Sequence, residues 1–286
     1  MGESNLVTGL RGIIDSQMTL LNFTLYIATQ GPADFAGHRF ECNLSELKMK
    51  TSQNIALGAG QSVSTILKCA EWKGIPVRDL YPIARSAIES FINAAFLLVS
   101  SEEVAGRAAR YVSYASWKLS NRTVGSGEFM LDLSTTPPNE RATSPAFPEF
   151  SGRGNGEWTK LDLPSRLRCV GELAGKRSGR RLLAAYTLIY SISSEIIHGS
   201  PFGMNYFYQA HLPENPTVDD FREGSSKHVE SILIAIAHAA AGYLSAFFTF
   251  HNMTPLLRAE QELFNRLLAI DGVEPQSMPN ESSIPD

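Results

Sequence analysis

Tyr190, Ser194 and His198 follow one another at four-residue intervals in the stretch AYTLIYSISSEIIHGSP, Ala185–Pro201. That spacing stacks side chains along one line of a helix. The three bring a phenol, a hydroxyl and an imidazole, groups that position a substrate or move its protons. Histidine titrates near neutrality and is the usual general acid or base. Leu188, Ile189, Ile192, Ile196 and Ile197 make most of the remaining surface apolar, so the stripe is the polar line of a largely buried element. Tyr186 extends the line backwards, and Ser191 and Glu195 flank it. Gly199 and Pro201 end the helix. His198 is left in the last turn, where the negative end of the helix favours an imidazolium.

One other stretch has this character: LYPIARSAIESFINAAFLLV, Leu80–Val99. Pro82 suits a first helical turn, and Arg85, Glu89 and Asn93 then form a stripe on a helix of Ile, Phe, Leu and Ala. A buried arginine needs a partner, and Glu89 lies one turn on. The two stripes are expected to face one another, with Arg85, Glu89 and Asn93 opposite Tyr190, Ser194 and His198. The chemistry this suggests is metal-independent phosphodiester hydrolysis on RNA or a nucleotide. His198 would act as base or acid, Arg85 would hold phosphate through its planar fork, and Glu89 would orient one of them. Asn93, Tyr190 and Ser194 would bind substrate. The alternative is a non-catalytic module that binds a nucleotide or a protein, its stripes forming a satisfied polar core.

Other chemistries have weaker support. Glu195 and His198 make a single E-x-x-H, with no H-E-x-x-H and no second copy, so no metal site is expected. No nucleophile elbow suggests a serine hydrolase. The glycine-rich GRGNG at 152–156 follows no strand and precedes no Lys-Ser/Thr pair, which argues against a phosphate loop. No cofactor is expected.

Behind these stripes stands a chain of 286 residues, 43% hydrophobic and 19% charged, as a folded domain requires. The net charge of −4 speaks against a broad duplex-binding surface. Cys42, Cys69 and Cys169 are odd in number and widely separated, consistent with a reducing, cytoplasmic compartment. No signal peptide or myristoylation pattern is read at the start. Ser231–Phe250 is long and apolar enough to span a bilayer, but its Ala and Gly content and the lack of flanking Lys or Arg favour a buried core helix and no membrane.

The elements that must hold the stripes are helical. Periodicity predicts helices over Ser4–Gln30, Ser45–Lys73 (weakened at Gly58 and Gly60), Leu80–Val99, Ser101 to about Asn121, Leu163–Gly175, Arg180–His198, Lys227–Phe250 and Thr254 to about Ala269. Thr123–Lys160 reads as a Pro/Gly-rich loop insertion, Gly199–Arg222 as an aromatic-rich loop, and 271–286 as a disordered tail. No strand is expected. The class is all-α, a single domain over 1–270 with six to eight helices.

IARSAIES in one helix and YSISSEIIHGS in a later one resemble a bacterial family of uncharacterised helical proteins, in which an Arg-x-x-x-Glu helix precedes a Ser-x-x-x-His helix. The resemblance spans roughly residues 45–250, apart from the loop near 123–160. That family is distantly similar to the HEPN superfamily of helical bundles, rich in RNases, toxins and phage-defence proteins. The resemblance implies a HEPN-like core and a role in a defence or toxin system, with RNA, a nucleotide, a partner protein or a second copy as partner. The superfamily's Arg, four to six residues, His pattern is absent at His198. Arg222 and His228 meet it by spacing, but such a pair arises easily by chance and no role is assigned to them.

Overall fold

Helix α1 (Asn5–Gln30) opens the chain with Leu10, Ile13, Ile14 and Leu21 buried along one face. It is followed by the hairpin β1 (Ala33–Phe35) and β2 (His38–Phe40). The computed structural model describes residues 5–134, 147–150 and 156–270. The expected tail at 271–286 and most of GRGNG fall outside them. A single turn, α2 (Glu46–Lys48), runs through a π-helical segment, Met49–Gln53, into α3 (Asn54–Cys69). Then come α4 (Leu80–Val99), α5 (Glu102–Ser120), the hairpin β3 (Thr123–Ser126) and β4 (Phe129–Asp132), and α6 (Leu163–Leu173). The chain continues with α7 (Lys176–Ile197), α8 (Pro201–Gln209), α9 (Val218–Phe250) and α10 (Thr254–Ile270). Helix of all kinds makes up 76% of the described residues, so the fold is mostly all-α and the two hairpins are small additions to it.

Helix α9 is the hub. Ile232, Leu233, Ala235, Ile236, Ala239, Ala240, Tyr243 and Leu244 are buried around its circumference, and α1, α4, α7 and α10 pack on it. Its alanines let four neighbours approach closely. By length and composition both α4 and α9 qualify to cross a bilayer, but 61% and 83% of their most apolar windows lie inside the protein.

The structure departs from the sequence reading at several places. Strands do occur, at β1–β2 and β3–β4, because each needs only three or four residues about a positive-φ glycine, Gly37 or Gly127. The irregular part of the second helix is the π segment, not Gly58 or Gly60; Ser52 there donates its hydroxyl to the Ala94 carbonyl at 2.8 Å. Gly199–Arg222 is not one loop. Ser200 accepts from the Gly203 amide and Pro201 occupies the first turn of α8, so the proline that stops α7 also starts its successor. Helix α9 begins at Val218, fixed by a reciprocal Thr217–Asp220 capping box.

Helix α8 is held down at its buried Phe207, whose ring stacks on His228 of α9 at 4.9 Å. His228 Nε2 faces the Phe207 carbonyl at 3.0 Å and Nδ1 faces the Tyr81 hydroxyl at 2.7 Å. A carbonyl only accepts, so Nε2 carries the proton and Tyr81 donates to Nδ1. Burial, with His211 beside it, lowers the His228 pKa to about 4, against a favourable bond to Phe207. The folded state therefore resists a proton that the unfolded chain accepts below about 6.5. Stability is expected to be flat above neutrality and to fall as pH drops from about 6.5 to about 4, by on the order of 3 kcal/mol for His228. Urea titrations across that range check this, and a His228→Phe variant should flatten the slope.

Candidate functional site

Helices α4 and α7 run antiparallel. The Ser193 hydroxyl donates to the Tyr81 carbonyl at 3.0 Å, and one turn along the Arg85 guanidinium lies 4.2 Å from the Tyr190 ring centroid. Advancing along α4 means retreating along α7, which places Glu89 near Tyr186. The electrostatics agree: the Tyr186 pKa is raised by burial first, then by Tyr190 and by the Glu89 carboxylate. Tyr186 and Tyr190 touch, with ring centroids 4.4 Å apart. Arg85 donates through Nε to Glu89 at 2.7 Å, and the side chains of the pair keep 20% and 32% of their exposure.

Helix α6 closes the group from the other side. Arg166 Nη1 donates to Asn93 Oδ1 at 2.7 Å and Nε to the Leu161 carbonyl at 2.9 Å, with the Trp158 ring 4.7 Å away. Burial lowers the Arg166 pKa, while Glu89, Asp162 and Glu157 raise it. The side chain stays a cation because arginine starts so high. The result is a half-open cluster of two guanidinium groups, each lying on an aromatic ring, with Glu89 between them. Nη1 and Nη2 of Arg85 and Nη2 of Arg166 make no hydrogen bond among the described residues and are not sealed from solvent.

Of the residues singled out from sequence, Arg85, Glu89, Asn93 and Tyr190 come together. Ser194 and His198 do not join them. Ser194 is half-buried and its hydroxyl has no hydrogen-bond partner among the described residues. His198 is exposed at the end of α7, and its ring makes no hydrogen bond there either. Eight residues separate it from Tyr190, roughly 12 Å of helix rise, and it lies beyond the start of α4. Glu195 accepts a hydrogen bond from Ser200 and ties the end of α7 to α8. Arg222 is exposed on Asp219 at 2.9 Å, while His228 is buried, so the two share no site. No three His, Cys, Asp or Glu side chains gather as metal ligands among the described residues.

Arg166 and Trp158 were missed. The first was legible: Leu163, Arg166, Leu167 and Val170 share one face of α6, so an arginine stood on an apolar stripe. Trp158 sat in a segment without periodicity and gave no such signal. The buried ion pair also lies elsewhere than expected. Arg181 Nη1 meets Glu260 Oε2 at 2.5 Å with side-chain exposures of 3% and 0%, and Nη2 donates to Gln261 at 2.8 Å. Since the Arg85–Glu89 pair is partly solvated, Glu89→Gln is expected to cost about 1 kcal/mol or less. A thermal melt of that variant within 2–4 °C of wild type is the check.

Comparison of the chain with protein-family models, curated proteins and solved structures finds no match.

Proposed function

We propose that this chain is a non-catalytic helical module that binds a nucleotide, free or as a unit of single-stranded RNA, at the Arg85–Arg166 cluster. One observation carries the reading: guanidinium nitrogens open to solvent lie beside aromatic rings, on elements fixed by the core. Planar guanidinium forks suit phosphate oxygens, and aromatic rings suit a base of any identity. Glu89 keeps the empty site from presenting two unopposed cations and leaves a net positive charge on the three groups. Arg85, Arg166 and Asn93 would hold the phosphate and sugar, and Tyr186 and Trp158 would flank the base. His198, at the far end of α7, has no part in this. A HEPN-like ancestry and a defence or toxin setting belong to the same proposal; their support is the two motif helices packing directly on each other. So does a cytoplasmic location, which the burial of both long apolar helices supports.

Isothermal titration of the full chain with nucleoside monophosphates and with inorganic phosphate tests the reading. Nucleotides should bind more tightly than phosphate, and Arg85→Gln and Arg166→Gln should each weaken binding about tenfold or more, roughly 1.4 kcal/mol. Absence of binding, or binding indifferent to both substitutions, would overturn it.

A further inference from the structure

The Arg85–Arg166 cluster contains one group that a bare phosphate site would not include. Glu89 lies on α4 between the two guanidiniums, and a carboxylate repels a bound anion. It is also only partly engaged. Oε1 accepts from Arg85 Nε at 2.7 Å, while Oε2 makes no hydrogen bond among the described residues and is not sealed from solvent. The side chain keeps 32% of its exposure, so a ligand can reach it. An ionised carboxylate only accepts. Whatever meets Oε2 must therefore carry an O–H or N–H donor, beside the groups that Arg85 and Arg166 hold.

Position decides which donor that is. Arg85, Glu89 and Asn93 follow one line of α4, about 6 Å apart at each step. Arg166 joins that line at Asn93, 2.7 Å away. The order along it is cation, acceptor, cation. A single RNA strand presents the matching order of phosphate, ribose and phosphate, and the donor its backbone carries is the ribose 2′-hydroxyl. Base donors stand across the sugar from the phosphates. DNA has the same phosphates but no hydroxyl to offer the carboxylate. We infer that Glu89 accepts a hydrogen bond from a ribose 2′-hydroxyl, so that the cluster takes RNA and rejects DNA. This rests on the nucleotide reading of the cluster and names its substrate class. With the hydroxyl present, a charge-assisted bond offsets the repulsion between carboxylate and phosphates. Without it, the carboxylate loses water and gains no partner.

Fluorescence anisotropy of the full chain tests it, with end-labelled single strands of one sequence made as RNA, DNA and 2′-fluoro RNA. The fluoro strand keeps the sugar pucker of RNA and removes the donor. The wild-type protein should bind RNA about tenfold or more tighter than either other strand. In Glu89→Ala the three affinities should converge, chiefly because DNA and the fluoro strand bind more tightly once the negative charge is gone. Glu89→Gln keeps an acceptor oxygen without the charge and should retain part of the preference. RNA bound no better than DNA by the wild type, with both weakened in Arg85→Gln, would overturn the proposal and leave the nucleotide reading standing. So would an RNA preference that survives in Glu89→Ala. Binding of none of the strands would remove the nucleotide reading, and this proposal with it.

Discussion

Replacing Arg181 with Met should cost about 3–5 kcal/mol of stability, because it strands the Glu260 carboxylate in the core. The pair sits between α7 and α10, and the Arg181 guanidinium also lies 3.8 Å from the Phe264 ring centroid. Burial raises the Glu260 pKa and lowers that of Arg181, and each shift is opposed by the partner's charge. Arg181 Nε and Glu260 Oε1 find no hydrogen bond among the described residues, so the network is incompletely satisfied. The double variant Arg181→Met, Glu260→Leu should therefore recover most of the loss, since no charge then remains buried. Denaturant titrations of the two singles and the double check this. A single-variant loss near 1 kcal/mol would mean that water reaches the pair.

Gly179→Ala should damage stability and binding together. A methyl there would lie 2.7 Å from the Gly171 Cα and 3.0 Å from its amide nitrogen, backbone atoms that cannot step aside. Helix α6 must be pushed away from α7, at a cost of about 1–3 kcal/mol. Because α6 carries Arg166, the displacement also loosens its bond to Asn93. Nucleotide affinity should fall at temperatures where the variant is still folded. Full affinity in a folded Gly179→Ala protein would show that the cluster does not depend on the α6–α7 spacing.

The sequence announced the helices that matter and the polar line on each of them. Periodicity alone marks α4 and α7, and Arg85, Glu89, Asn93 and Tyr190 were found because charged and aromatic groups interrupt apolar faces. What periodicity does not encode is direction. A stripe reads the same whether its partner runs parallel or antiparallel, and the antiparallel packing brings Tyr186 toward Glu89 while carrying His198 away. The burial of Arg181 was hidden for a related reason. Its partner Glu260 lies on α10, and only the tertiary fold brings the two together. Helix α8 was concealed by Gly203 and by Pro201, which serves as a terminator and a first-turn residue at once.

In the proposed function the Arg85–Arg166 cluster binds RNA without His198 and without cleaving it. An end-labelled single-stranded RNA incubated with the protein reports both, by fraction bound and fraction intact. The RNA should be bound and recovered whole, with binding lost in Arg85→Gln and unchanged in His198→Ala. Cleavage by the wild-type protein that disappears in His198→Ala would contradict the proposed function.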